Sequence, residues 1–391
     1  MITPFTYKHQ VQIEFGAGKV GEIMNAINEQ SATKAMIVID KDLRKLGMHE
    51  KVTKILDDNS IPYELFSEFQ PNPSVLSVDA CSKIIREKGY DIIIAIGGGS
   101  SMDVGKGAAV VATNDGSIMD YMSLRKDKAR QVVNPLLPVI AIPTTAGTGS
   151  EVSECIVLID TDDMKDVFYD GVLLPTYAYV DPEMTYGMPK SVCANTGLDV
   201  LGHALEAFTA TLENTMADLF AKEAIKLTFE YLPASVQGDK EARNQMALAS
   251  MYAGIAQSKN GCSIPHAVSC PLSALKRVPH GLGVGVTQIP NIEFTKEVCA
   301  PLYKEVIDYI DPHGADIPED KAADALIEKI HALFKAIGVS EKIDIGPVDE
   351  AFIQRMADDA SIDDVDLLGC PVQPVTAAAL NKIYHQILQL D

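Results

Sequence analysis

Asp199, His203, His266 and His280 are residue types that hold divalent cations, and their spacing lets them do so together. In GLDVLGHALEAF (197–208), Asp199 and His203 lie four apart on a helical pattern. That interval places both on one helix face, close enough to share an ion. The same interval also arises in a solvated or capped pair. His266 and His280 frame the stretch HAVSCPLSALKRVPHG. Pro271 and Pro279 should break any continuous helix between them, so the two imidazoles are expected on separate segments that converge. One carboxylate and three imidazoles suit Fe(II) or Zn(II) better than Mg or Ca.

A second group of residues can cradle phosphates. GAGKVG (16–21) fits the GxGxxG pattern literally, and GGGSSMD (97–103) is the alternative. The preceding strands decide between them. A phosphate-binding loop should follow a central strand buried on both faces. QVQIEF (10–15) alternates polar and apolar, as an edge strand does, whereas IIIAI (92–96) is apolar throughout. Gly97, Gly98 and Gly99 are therefore the expected cradle, with backbone N–H groups meeting a pyrophosphate at a helix N-terminus. TTAGTGSE (144–151) follows another apolar strand; its hydroxyls and amides either line a cofactor or form a structural turn. Asp40 ends the second strand. A carboxylate there binds a ribose 2′-hydroxyl and repels a 2′-phosphate, favouring NAD over NADP, although Asp also serves as a helix N-cap.

The elements that must position these residues fall into two rhythms. The first half alternates short apolar runs (35–40, 61–66, 91–96, 138–143) with helical patterns (51–58, 74–89, 102–113). This βαβα order predicts a Rossmann-like parallel sheet covered on both faces. Beyond about residue 185 helical patterns dominate (197–210, 216–233, 241–257, 319–337, 348–359, 376–389). The expected organisation is a nucleotide-binding α/β domain over 1–185 and an all-α metal-binding domain over 186–391, with the site in the cleft between them.

Composition narrows the function. Asp and Glu number 54 against 33 Lys and Arg, a net charge of −21, which repels nucleic acid. No apolar run approaches the ~20 residues of a membrane span, and the N-terminus lacks the pattern of a signal peptide. Seven cysteines with no CxxC pair suit a reducing cytoplasm. Lys259, Lys276 and Arg277 put three positive charges near the metal-binding segments of this acidic chain. Facing the site, they would hold an anionic aldehyde such as a semialdehyde or a phosphonate- or sulfonate-bearing one; otherwise they lie at the surface.

GGGSSMD, PTTAGTGSEVS, VDPEMT, GLDVLGHALEAF, IPHAVSCPL and VPHG, in this order, resemble the iron-dependent (group III) alcohol dehydrogenases over nearly the whole chain. The resemblance implies a dehydroquinate synthase-like architecture, an α/β domain followed by a helical one. It implies metal ligands Asp199, His203, His266 and His280. It places Asp40, Gly97, Gly98, Gly99, Ser100, Asp103, Lys106, Thr144, Thr145, Thr148 and Lys165 at the cofactor, and makes the first glycine loop a turn. The activity implied is hydride transfer between NAD(P) and a short-chain primary alcohol or aldehyde, in a homodimer or larger homo-oligomer. Three departures bear on substrate: Cys270 stands where many relatives carry His or Tyr, Lys259 where several carry Asn, and CPVQPVT where many carry NPR. Cys270 shapes the pocket or relays protons. Two rival classes are an NAD-dependent lyase or cyclase of the dehydroquinate synthase type and a non-enzymatic metal- or nucleotide-binding protein.

Overall fold

The computed structural model describes residues 4–122, 129–161, 164–212, 214–362, 367 and 369–390. They form two compact units, one from Lys8–Met188 and one from Pro189 onward together with the N-terminal segment ending at Tyr7. Fold class is as the sequence predicts, a parallel α/β unit and a helical unit.

The α/β unit holds β1 (Gln12–Phe15), α1 (Met24–Glu29), β2 (Ala35–Ile39), α2 (Lys41–Lys45), α3 (Glu50–Asp58), β3 (Tyr63–Phe66), α4 (Val75–Lys88), β4 (Ile92–Gly97) and α5 (Gly99–Thr113). It continues with β5 (Val139–Pro143), β6 (Cys155–Ile159), β7 (Lys165–Tyr169) and β8 (Tyr177–Val180). Six strands form a parallel sheet in the order β1-β8-β5-β4-β2-β3. Polar–apolar alternation puts β1 at an edge, while every residue of the inner strands β2, β4 and β5 is buried. Side chains of β4 feed two cores. Ile93 joins Val78, Ile85, Val104 and Ala108 from α4 and α5. Ile92, Ile94 and Ile96 join Ile23, Ile27, Val52 and Leu56 on the opposite face. Each such isoleucine contributes about 2–3 kcal/mol by leaving water, which is why continuous apolar runs become inner strands.

One element departs from the predicted alternation. β6 and β7 pair antiparallel, Cys155 opposite Tyr169, as a separate ribbon outside the sheet. Asp103 of α5 ties it down: its carboxylate accepts from the Val157 N–H and the Ser150 hydroxyl.

The helical unit holds α6 (Lys190–Thr209), α7 (Thr215–Gln237), α8 (Lys240–Asn260), α9 (Ile264–Lys276), α10 (His280–Thr295), α11 (Ala300–Ile310), α12 (Glu319–Ile337), α13 (Glu350–Ser361) and α14 (Ala377–Ile387). Caps define its ends. Asn214 and Asp239 accept N-terminal amides of α7 and α8, and Gly238 and Gly338 end α7 and α12 in the left-handed conformation. The expected helix break at Pro271 does not occur. That proline lies inside α9, which continues past the one backbone donor it lacks. The chain turns instead at Arg277, left-handed at φ 55°, with the Val278 N–H bonded back to the Leu272 carbonyl and Pro279 preceding α10. His266 and His280 are thereby on separate helices, as expected, but for this reason.

α6 and α10 approach closely because glycine lies at the crossing. A Cβ on Gly281 would overlap the Asn195 carbonyl oxygen, and one on Gly202 would overlap Val284. Without side chains there, the start of α10 lies against the turn of α6 that carries Asp199.

Candidate metal centre and cofactor seat

On α6, Asp199, His203 and Glu206 follow one another at intervals of about one turn and are all buried. His266 is on the first turn of α9 and His280 begins α10. His266 Nε2 lies 3.8 Å and His280 Nε2 3.9 Å from Asp199 Oδ1. The rings of His203 and His266 are 4.5 Å apart, those of His266 and His280 5.2 Å. The four sequence-predicted ligands therefore gather around His266. A tetrahedral ion with bonds of about 2.1 Å would hold its donors about 3.4 Å apart, so small inward shifts complete a site.

The tautomers can be read from the surrounding hydrogen bonds. His266 Nδ1 lies 2.9 Å from both oxygens of Glu206, an acceptor, so Nδ1 keeps a proton and Nε2, facing Asp199, is the nitrogen that a cation would take in place of a proton. The Ser269 hydroxyl donates to the His280 carbonyl at 2.8 Å, so its oxygen accepts from His280 Nδ1 at 2.9 Å. That again leaves Nε2 as the acceptor. Asp199 Oδ1 and His266 Nε2 are buried with no hydrogen-bond partner. Leaving such atoms unmet costs about 1–3 kcal/mol each, and a cation between them removes the cost. Burial disfavours a charged His266, but Cys262 and Glu206 outweigh it and raise its pKa well above the ordinary value. The surroundings thus favour positive charge, and a bound cation supplies it.

Glu206 was not among the sequence candidates. Its fully buried carboxylate also accepts from the Ser263 N–H (2.7 Å) and Gln288 Nε2 (3.1 Å), joining α6, the 261–263 loop, α9 and α10. The signal was its place one turn beyond His203 on the Asp199 face. Cys262 was also missed: its sulfur groups with His203 and His266 donors, all within 4.8 Å of one another. Cys270, one turn beyond His266, is partly buried.

In the α/β unit, Gly97 (φ 149°) closes β4 and Gly98 precedes α5 with no side-chain cap on the first amides of the helix, the arrangement that suits an anion. The 144–148 stretch faces it. Thr144 N–H donates to Gly97 O at 2.9 Å. A Cβ on Gly98 or Gly99 would stand 3.2 Å from Thr145 Oγ1 or 3.1 Å from Thr148 Cγ2. Thr144 Oγ1 is buried without a partner, and Ser100 Oγ accepts from the Asn72 N–H. GAGKVG cannot serve the same purpose: Asp181 already accepts from the Gly18 and Val20 N–H groups, at 3.0 and 3.2 Å.

Lys106, Asp103 and Asp40, expected at the cofactor, also have structural partners. Lys106 is buried with its three N–H donors on Ser150 O, Ser153 O and Ser153 Oγ, so its ammonium acts as a strut between α5 and the 150–153 stretch. Asp103 likewise holds Ser150 and β6; burial pushes its carboxyl pKa up and the Lys106 pKa down. Lys165 is buried at the start of β7. Asp40 Oδ1 caps α2, accepting from the Asp42 and Leu43 N–H groups. The three basic residues lie in different settings. Lys276 donates to Ile345 O and lies over the Phe352 ring, Arg277 is exposed, and Lys259 is partly buried on the last turn of α8.

A buried carboxylate–imidazole cluster in the helical unit and a glycine-rich strand–helix turn in the parallel α/β unit are the features that a metal- and nucleotide-dependent oxidoreductase requires. Residues 11–182 match the model for iron-containing alcohol dehydrogenases, and residues 193–388 match the C-terminal model of the Fe-containing alcohol dehydrogenase family. The chain belongs to the iron-containing alcohol dehydrogenase family, and it is an oxidoreductase interconverting alcohols and aldehydes. It is 36% identical to alcohol dehydrogenase 4 of Schizosaccharomyces pombe over 271 residues, 68% of this chain and 63% of that one. Lactaldehyde reductase of Escherichia coli K12 is 30% identical over 374 residues, 95% of this chain and 96% of that one. The crystal structure of sulfoacetaldehyde reductase from Bifidobacterium kashiwanohense in complex with NAD+ superposes with a TM-score of 0.87, at 32% identity, covering 98% of this chain and 99% of that one. Among the described residues, no helix is long and apolar enough to cross a membrane.

Proposed function

We propose that the chain is an NAD-linked reductase and dehydrogenase of short-chain aldehydes and primary alcohols, with Fe(II) or Zn(II) held by Asp199, His203, His266 and His280. The observation that carries this reading is the pair of buried, unpartnered atoms Asp199 Oδ1 and His266 Nε2, 3.8 Å apart, with His280 Nε2 beside them. When bound, the ion supplies Lewis acidity to the substrate oxygen and the nicotinamide supplies or accepts hydride. The chain's own part is to bind and orient. Glu206 and Ser269 hold the imidazoles in the ligating tautomer. The α5 amides and Gly97, Gly98 and Gly99 receive the pyrophosphate, with Ser100, Thr144, Thr145 and Thr148 beside it. Asp40 stands at the end of β2, where its charge disfavours a 2′-phosphate. Cys270 acts in shaping the substrate pocket.

A neutral aldehyde is the substrate these residues favour, since Lys276 is engaged elsewhere and Arg277 is exposed. An anionic aldehyde, with Lys259 and Arg277 as its partners, is the second reading; the likeness to a sulfoacetaldehyde reductase supports it. Seven cysteines, all thiols, fit a reducing cytoplasm, and a homo-oligomer there is part of the same proposal.

The test is turnover of paired neutral and anionic aldehydes, with NADH and with NADPH, before and after metal removal. Stripping should abolish activity, Fe(II) or Zn(II) should restore it, and NADH should outperform NADPH. Undiminished turnover by the stripped protein would end the metal reading. Loss confined to the anionic substrate in Lys259→Ala and Arg277→Ala would favour the second substrate.

A further inference from the structure

The cysteine beside the centre has no role in the reading so far. Cys262 lies in the 261–263 loop joining α8 to α9 and is 3% exposed. Its sulfur and one ring nitrogen each of His203 and His266 are all within 4.8 Å of one another, and a carboxylate oxygen of Asp199 and one ring nitrogen each of His266 and His280 form a second such group. His266 belongs to both groups, and its Nε2 is buried without a partner.

The loop is held in place from two sides. Glu206 accepts from the Ser263 N–H at 2.7 Å, using the carboxylate that also orients His266. On the other side Gly369 packs so tightly that a Cβ there would overlap the Cys262 carbonyl oxygen. Gly261, at φ 78°, makes the turn that brings the loop in. Cys262 is thus as firmly positioned as the histidines. A zinc–sulfur bond of about 2.3 Å and a zinc–nitrogen bond of about 2.1 Å place the donors about 3.6 Å apart, within roughly an ångström of the present arrangement.

We propose that the Cys262 thiolate is a further ligand at this centre. The helical unit then offers two overlapping donor sets, Asp199–His266–His280 and His203–Cys262–His266, and the sulfur biases the centre toward zinc over iron. The proposal rests on the metal reading above and deepens it. A thiolate is a softer donor than a carboxylate or imidazole and raises the preference for zinc. The thiol's proton leaves to solvent as the ion binds.

Cobalt(II) separates this proposal from the reading beneath it. The metal-stripped full chain is loaded anaerobically with one equivalent of Co(II), and its absorption is recorded. Visible ligand-field bands report binding, and a near-ultraviolet charge-transfer band reports a cobalt–thiolate bond. Wild type should show both. Cys262→Ser and Cys262→Ala should keep the visible bands and lose the charge-transfer band, while Cys270→Ala keeps both. In competition with a chelator, zinc affinity of Cys262→Ser should fall about 10-fold or more, with a smaller change for Fe(II). Visible bands without charge transfer in the wild type would overturn the Cys262 ligand alone, and so would a charge-transfer band that survives in both Cys262 variants. No cobalt uptake by the wild type would overturn the metal reading and this proposal with it. Because the wild-type spectrum is itself decisive, a variant that fails to fold does not rescue the idea.

Discussion

Glu206 touches neither expected ligand set as a donor, yet it orients His266 and fixes the loop beneath it. Replacing it by glutamine keeps the volume and removes the charge. Metal affinity should fall about 10–100-fold, read by chelator competition; an unchanged affinity would show that the ring keeps its tautomer unaided. Glu151 makes a different prediction. Burial raises its pKa from 4.5 to about 7, a shift that a backbone hydrogen bond and Lys106 reduce but do not cancel. Between those values the folded chain binds a proton that the unfolded chain has released, so Glu151 makes stability fall as pH rises through this window. Glu151→Gln removes the penalty. It should match wild type near pH 4.5 and exceed it by roughly 2–4 kcal/mol above pH 7. Denaturant unfolding at both pH values checks this, and a pH-independent difference would refute it.

At the scale of elements, the crossing of α6 and α10 sets the distance between Asp199 and His280. Gly281→Ala drives a methyl into the Asn195 carbonyl, and the helices must separate. The expected result is a loss of about 1–3 kcal/mol in stability, as for other overpacked sites, with metal affinity falling alongside it. Retained affinity at reduced stability would mean that the ligands re-form after the shift. Elements were legible in the sequence where burial leaves a periodic mark. β2, β4 and β5 lie between two cores and read as unbroken apolar runs, and β1 reads as an edge strand because one face stays polar. The β6–β7 ribbon is packed as well, with Ile156, Leu158 and Phe168 in the core of α4 and α5 and Asp103 on its backbone, but its antiparallel pairing outside the sheet follows from no periodicity in the sequence. α9 was hidden by Pro271, whose missing donor the helix tolerates. The ligand candidates were visible because Asp199 and His203 share a helix face and His266 and His280 lie in motifs that resemble the family's, although such a helical spacing alone is common. Glu206, Cys262 and the Lys106 strut were not, because a carboxylate, a cysteine or a lysine on a helix or loop has the same sequence appearance buried as exposed.

For the whole molecule, the two ligands act on separate compact units. The expected metal ligands all lie beyond Pro189, and the glycine cradle lies within Lys8–Met188. A ligand that binds only the folded form stabilises it by about 2.7 kcal/mol at 100 times its Kd, and amide exchange shows where that stabilisation falls. Adding Zn(II) to the stripped protein should slow exchange in the second half of α6, the 261–263 loop and the first turns of α9 and α10. Adding NAD should slow it at 97–103 and 144–150 and leave 16–21 unchanged, since Asp181 already engages those amides. NAD protection centred on 16–21 would reverse the choice of glycine loop. Zinc protection confined to Lys8–Met188 would mean that the buried carboxylate and imidazoles of the helical unit are not where the ion binds.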